Sequence, residues 1–216
     1  MILAGEVFAT KVALAKRAQK ILHGPLRVLQ GQEYSFVLAL LQQHPNADQK
    51  IGCGVTRIRV VQAQVWKKNH AFELERMDGT RTDFSYRQCI SPSSNRSKFA
   101  KACRVAIVDQ VLEAKRKAFV AGTTLECPVT GELVTWSNCH VDHEGPWTFL
   151  AIVEAFIADR AVDVDTAVDL APRDGETEQQ FANPETRLSF QIFHALRARL
   201  RVVSARANLS TLRKRP

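Results

Sequence analysis

Between residues 55 and 76 the chain changes its hydrophobic period, and that change restricts the fold more than any other feature. Val55-Thr56-Arg57-Ile58-Arg59-Val60 and Ala71-Phe72-Glu73-Leu74-Glu75-Arg76 alternate apolar and polar residues, the pattern of half-buried strands. Asp78-Gly79 supplies a tight turn, and Thr82-Asp83-Phe84-Ser85-Tyr86 supplies a partner strand. Helical spacing comes before them. Residues 6–22 place Val7, Val12, Leu14, Ala18, Ile21 and Leu22 on one face until Gly24-Pro25 stops the helix. Gln32 to Gln43 turns Tyr34, Val37, Leu38 and Leu41 inward until His44-Pro45-Asn46 ends it. Residues 2–91 therefore read as helices packed on a small antiparallel sheet.

Ser91-Pro92-Ser93-Ser94-Asn95 is a polar linker, and it divides the chain into domains 1–93 and 94–216. Lys98 to Val120 reads as one long helix, with Ala102, Val105, Ala106, Val108, Val111 and Leu112 among its apolar positions and Gly122 closing it. Leu133-Val134-Thr135-Trp136 and Cys139-His140-Val141-Asp142 read as short strands separated by Ser137-Asn138. Thr148 to Ala158 reads as a helix with Phe149, Ile152, Val153 and Phe156 on its apolar face. Asp169 to Asn183 is polar and looped. Pro184 to Ala207 fits one or two helices, or a helix followed by a strand, with Leu200-Arg201-Val202-Val203 ambiguous. The class is α+β.

The 216 residues suffice for one large domain or two small ones. No apolar run approaches the roughly 18–20 residues that span a bilayer, and Met1-Ile2-Leu3-Ala4-Gly5-Glu6 lacks the basic start of a signal peptide. The expectation is a cytoplasmic protein with no membrane partner. The five cysteines are an odd number and form no CxxC pair, so neither a disulfide framework nor an all-cysteine zinc knuckle is expected. Cys53 and Cys89 read as small buried hydrophobes. A net charge of +8 suits a polyanionic partner. The charge is also segregated. Arg197, Arg199, Arg201, Arg206, Arg213, Lys214 and Arg215 form one basic run with no acid among them, and Arg96, Lys98, Lys101, Arg104, Lys115, Arg116 and Lys117 form another. Such runs are either solvated faces or phosphate-tracking surfaces.

His140-Val141-Asp142-His143 gathers three metal- or proton-competent groups in four residues. On a strand His140 and Asp142 share a face, and His143 points elsewhere or sits at the turn. A carboxylate binds a divalent cation through oxygen, and an imidazole takes a proton from water near neutral pH. Phosphodiester hydrolysis needs both functions. The competing reading is a core or loop cluster with no chemistry.

This motif, followed by a turn and Pro146, resembles the first element of HNH (ββα-metal) nucleases, in which a β-hairpin and a following helix enclose one metal ion. The resemblance implies Asp142 as a metal ligand and His143 as the general base, with His140 beside it as a second catalytic candidate. The last family position is a ligand that follows a Cys-x-x-Cys pair. Leu200-Arg201-Val202-Val203-Ser204-Ala205-Arg206-Ala207-Asn208 resembles that segment and implies Asn208 as the second ligand; a capping Asn is the other reading of that residue, and His194 is the alternative ligand. Ser204 and Ala207 stand where many members carry zinc cysteines, and Cys127-Pro128-Val129-Thr130 supplies one cysteine of an expected pair. The implied cofactor is one Mg²⁺ or Mn²⁺ ion, without structural zinc. Arg199 falls near the middle family position, and the segment between His143 and Asn208 is longer than in minimal motifs. Arg199, Arg201, Arg206, Lys115 and Arg116 are the candidate nucleic-acid contacts. The implied activity is endonucleolytic hydrolysis of double-stranded DNA, as in a bacterial or phage restriction or defence enzyme, with RNA the alternative substrate. A homodimer would suit a double-strand cutter with one metal per chain. The competing function is a non-catalytic DNA- or RNA-binding or RNA-processing protein with a degenerate HNH module.

In the first domain, His44-Pro45-Asn46-Ala47-Asp48-Gln49-Lys50-Ile51-Gly52-Cys53-Gly54-Val55 and the block from Phe72 to Ile90 resemble the DCL domain. That resemblance implies nucleic-acid work and names no catalytic residue. Arg57, Arg59, Lys67, Lys68, Arg76, Arg81 and Arg87 are candidates for phosphate contact, and Trp66 and Tyr86 for base stacking or, alternatively, for the core.

Overall fold

A computed structural model describes residues 1–63, 68–120, 122–169 and 179–212. They divide into two compact units after Ser94, and each is α+β. The expected stacking residue Trp66 and the expected phosphate contact Lys67 lie outside the described residues.

The first unit opens with a small hairpin, β1 (Ile2–Leu3) and β2 (Glu6–Val7), and β2 occupies the start of the helix expected over residues 6–22. Its turn places Ala4 and Gly5 at φ 48° and 81°. Thr10 then caps α1 (Lys11–Leu22), accepting the Ala13 N–H at 3.1 Å. The helix thus begins later than its apolar pattern suggests. Leu14, Ala18, Ile21 and Leu22 are buried, whereas Val7 and Val12 face solvent. Next come β3 (Arg27–Val28), α2 (Gly31–Leu41), α3 (Ala47–Ile51), β4 (Val55–Gln62), β5 (His70–Arg76), β6 (Arg81–Phe84) and α4 (Tyr86–Ile90). Strands β3-β4-β5-β6 pair antiparallel in that order. The alternation along β4 is interrupted by a bulge between Val55 and Arg57, where Thr56 and Arg57 are consecutive polar residues. Gly79 takes φ 80° in the turn between β5 and β6, a conformation that favours glycine. One face of the sheet contributes Ile58, Val60, Phe72, Leu74 and Phe84 to a core shared with α1 and α2.

Several side chains expected to contact nucleic acid have partners within this unit. Arg76 is buried, and its guanidinium donates to the carbonyls of Lys50 (2.9 Å) and Gln49 (3.2 Å) and to Thr80 Oγ1 (3.0 Å). Arg57, Arg59 and Arg81 all pair with Glu75. Tyr86 is buried against Phe72, which makes it a core residue. Cys89 is buried as expected, but Cys53 is exposed.

In the second unit the expected single helix over residues 98–120 is two helices, α5 (Asn95–Ala106) and α6 (Val108–Ala118), broken at the buried Ile107. The Gln191 side-chain amide donates to the Ala106 carbonyl at 2.7 Å, engaging at the break a group that a continuous helix would bond within itself. Strand β7 (Thr124–Glu126) pairs with β8 (Leu133–Thr135). Strand β9 (Cys139–His143) pairs not with its sequence neighbour β8 but with the distant β10 (Leu200–Ser204). Between β9 and β10 lie α7 (Phe149–Asp159), capped by Thr148, and α8 (Pro184–Arg197), capped by Asn183. The segment after residue 184 is therefore a helix followed by a strand. The chain then enters a π-helical turn, Ala207–Thr211, in which the Leu212 N–H reaches the Ala207 carbonyl at 2.9 Å.

Helices α5, α7 and α8 close on a phenylalanine core. The Phe156 ring meets Phe190 and Phe193 at centroid distances of 5.1 and 5.3 Å and stacks on Phe99. A second, smaller core of Cys127, Val134, Cys139, Val203 and Ala207 lies between the two strand pairs. Among the described residues, no helix is long and apolar enough to cross a membrane.

Candidate functional site

The β9–β10 register determines which side chains can meet. Arg201 lies opposite Asp142, Leu200 opposite His143 and Val203 opposite His140. Val203 and Cys139 face the small core and anchor the ladder. At the end of β10, Ser204 Oγ accepts the Ala207 N–H at 3.1 Å, capping the turn that carries Asn208. Asn208 Nδ2 then donates to His140 Nδ1 at 2.9 Å, across 68 residues of sequence.

The positions compared with zinc cysteines also meet, and direct hydrogen bonds join them. The Ser204 N–H donates to Cys127 Sγ at 3.1 Å, and Thr130 Oγ1 lies 3.2 Å from Ser204 Oγ. Burial pushes the Cys127 thiol up, but hydrogen bonds from the Thr130 side chain and from the backbone N–H groups of Ser204, Val129 and Thr130 outweigh it and bring it down to about 6.

Asp142 is held by Arg201, whose Nε and Nη2 donate to the same oxygen, Oδ2, at 3.1 and 2.9 Å. Arg201 Nη1 reaches Glu144 Oε1 at 3.1 Å. The guanidinium expected to track phosphate is thus engaged with two carboxylates. Asp142 Oδ1 has no hydrogen-bond partner among the described residues. His143 Nε2 lies 2.8 Å from Nε2 of His194, which is fully buried on α8. His194 Nδ1 lies 2.6 Å from Gln110 Oε1 on α6. Burial lowers the His143 pKa; Asp142 works against that shift and Arg104 adds to it. Burial and then His143 lower the His194 pKa to about 4.

Asp142, His143 and Asn208 line one cavity of about 690 Å³, together with Arg104, Thr148 and the apolar wall of α6. The Arg104 guanidinium lies 4.3 Å from the centroid of the Phe149 ring and forms no ion pair among the described residues. Sequence reasoning left Arg104 in a general basic run and missed Gln110 altogether. Nothing in the local sequence links residues 84 positions apart.

The remaining basic candidates are dispersed. Arg199 is exposed, and its carbonyl accepts the Glu144 N–H at 2.8 Å. Arg206 pairs with Glu132 at 3.2 Å. Lys115 Nζ sits 4.5 Å from the Trp136 ring centroid, and Arg116 pairs with Glu113 at 3.5 Å. None of these four lines the cavity.

Among the described residues no group of three or more His, Cys, Asp or Glu side chains is placed to hold a metal ion. Two of the lining residues instead carry hard oxygens with no hydrogen-bond partner among the described residues, Asp142 Oδ1 and Asn208 Oδ1, the latter left as an acceptor because Nδ2 faces His140. That donor set fits a Mg²⁺-like ion, which keeps several waters and uses one or two protein oxygens together with substrate phosphate. It does not fit zinc, which takes nitrogen and sulfur ligands.

A cavity of similar size, about 730 Å³, opens in the first unit beside β5 and β6. It is lined in part by His23, Lys68, His70, Asp83 and Arg87, and its His70 is tied through Nδ1 to the Leu22 carbonyl at 2.8 Å.

Residues 19–90, which run from the end of α1 through α4, match the family described as a protein of unknown function, DUF3223. The first unit carries a DUF3223 domain. Two proteins of Arabidopsis thaliana are similar to the chain. The DNA-directed RNA polymerase IV subunit 1 is 38% identical over 79 residues, which is 36% of this chain and 5% of that protein. The chloroplastic DCL homolog is 36% identical over 58 residues, 27% of this chain and 26% of that protein. The chain thus spans a small fraction of either relative. An uncharacterized protein from Rhodospirillum rubrum, solved in solution by NMR, is 30% identical, with 41% of this chain and 86% of that one covered and a TM-score of 0.38. The DUF3223 match ends at residue 90, before the cavity that holds Asp142, His143 and Asn208.

Proposed function

We propose that the second unit is an HNH-type, metal-dependent endonuclease that hydrolyses phosphodiester bonds of double-stranded DNA. The observation that carries this reading is convergence: a strand carboxylate, its neighbouring imidazole and an amide just after the paired strand all line one cavity. Asp142 and Asn208 are the residues that would hold one Mg²⁺ or Mn²⁺ ion. The ion's contribution is to stabilise charge on the phosphate and the leaving oxygen.

The chain's own residues do the rest. His143, neutral at physiological pH because burial depresses its pKa, takes the proton of the attacking water. Arg201 fixes Asp142 by holding Oδ2, which leaves Oδ1 to take the ion. Asn208 is oriented by His140, so His140 positions the amide and does not act as a second base. Arg104, a cation in the cavity wall with no carboxylate partner among the described residues, meets the scissile phosphate or its neighbour. The DUF3223 domain supplies further nucleic-acid contact in this reading, in keeping with its similarity to a polymerase subunit.

A second reading, a nucleic-acid binder without hydrolysis, draws support from the grip of Arg201 on Asp142, since a cation must share that carboxylate with a guanidinium. One experiment separates the two. The full chain with Mg²⁺ or Mn²⁺ is expected to cut plasmid DNA, and His143→Ala to cut about 10²–10⁴-fold more slowly with its circular dichroism unchanged. Equal cutting by the variant removes His143 from the reaction. Absence of cutting of DNA and RNA by the wild type, with binding retained, leaves the second reading.

A further inference from the structure

We infer that His194, itself oriented by Gln110, fixes the tautomer of His143, so that the ring proton sits on Nε2 and the lone pair of Nδ1 stays open.

A chain of hydrogen bonds runs to His143 from a group whose polarity is fixed. The Gln191 backbone carbonyl can only accept, and Gln110 Nε2 donates to it at 2.9 Å. This sets the Gln110 amide, because the flipped amide would bring two oxygens together. Gln110 Oε1 therefore faces His194 Nδ1, 2.6 Å away, and can only accept there. His194 must carry its proton on Nδ1. The ring is fully buried, and no carboxylate among the described residues bonds to it, so the neutral form prevails, in keeping with a pKa lowered to about 4. Nε2 of neutral His194 is then a bare acceptor. It lies 2.8 Å from His143 Nε2, and only a proton on His143 Nε2 makes that contact a hydrogen bond. The remaining nitrogen of His143, Nδ1, has no partner among the described residues, and its ring lines the cavity.

Two consequences follow. Both ring nitrogens of His194 are engaged, so His194 has no lone pair for a cation and drops out as the alternative to Asn208. His194 is thus a positioning residue that acts through His143. The contact is supplied by α8, which lies in the long segment between β9 and β10. The role of the open Nδ1 as a base rests on the nuclease reading; the tautomer itself does not.

The test is a long-range ¹H–¹⁵N correlation spectrum of the metal-free, full-length protein at pH 7.5, which reports the tautomer of each histidine without any reaction. The wild type is expected to show His143 as the Nε2–H form and His194 as the Nδ1–H form. His194→Phe is expected to release His143 into a mixture of tautomers. His194→Gln, which retains an acceptor near the Nε2 position, is expected to restore the Nε2–H form. In the nuclease assay, His194→Phe should lower kcat about 10–100-fold with KM little changed, and His194→Gln should recover part of it. His143 found as the Nδ1–H form in the wild type overturns the inference whether or not any variant folds. A fixed Nε2–H tautomer in a protein that cuts nothing sustains the inference and defeats only the nuclease reading.

Discussion

His194 has a large buried imidazole whose charged form the fold does not accommodate. Its ordinary pKa near 6.5 falls to about 4 in the folded protein, while the unfolded chain retains the ordinary value. Between pH 6.5 and 4 the unfolded state therefore binds a proton that the native state refuses, and stability must fall as the pH drops through that window. The His143 shift has the same sign. Asp142, which opposes that shift at His143, and Arg104, which adds to it, are the charged groups acting on the pair. The contribution of His194 is on the order of 3 kcal/mol. Urea midpoints at pH 7 and pH 4.5 are expected to differ in favour of pH 7, and His194→Gln should lose most of that difference. A wild-type midpoint unchanged across the window would contradict the depressed pKa. At this scale the sequence is partly legible. Asp142, His143 and Asn208 stand out because a carboxylate, an imidazole and a terminal amide match a known pattern. Arg201 reads as one more surface cation, and its pairing with Asp142 emerges only from the strand register.

Among elements, the π-helical turn after β10 has the greatest consequence for the site. It is short, and Asn208 sits in it next to Ala207, whose N–H bonds Ser204 Oγ. Loss of that hydroxyl should cost about 1 kcal/mol, as for other caps, and loosen the amide against His140. Ser204→Ala is thus expected to lower the unfolding free energy by about that amount and to weaken Mn²⁺ binding, measured by titration calorimetry; unchanged affinity would mean that Asn208 is held by other contacts. The elements show where periodicity suffices. Strand β5 follows its alternation, β4 does so after its bulge, and α7 follows its apolar face from the Thr148 cap onward. Periodicity fails at Ile107, where the carbonyl beside the break between α5 and α6 is met by the Gln191 amide from far along the chain. It fails again at β8 and β9, because which strand pairs with which is not written in either segment.

Across the whole molecule, the two units carry separate kinds of information. The first has its own sheet, its own core and a match to a family of unknown function. The second builds its site by long-range closure: two helices are inserted between β9 and β10, and the strand pairing returns the chain to its starting point. The basic composition, at +8, is compatible with a nucleic-acid partner for either unit, and much of it is engaged in ion pairs such as those on Glu75 and Glu132. The closure matters only if its two ends share a ligand. The most direct measurement is anomalous diffraction from crystals of the full chain grown with Mn²⁺. One ion is expected within about 2.0–2.4 Å of oxygens of both Asp142 and Asn208, with His143 outside its coordination shell. An ion held elsewhere, or no ion between those two side chains at saturating Mn²⁺, would contradict the hydrolytic site.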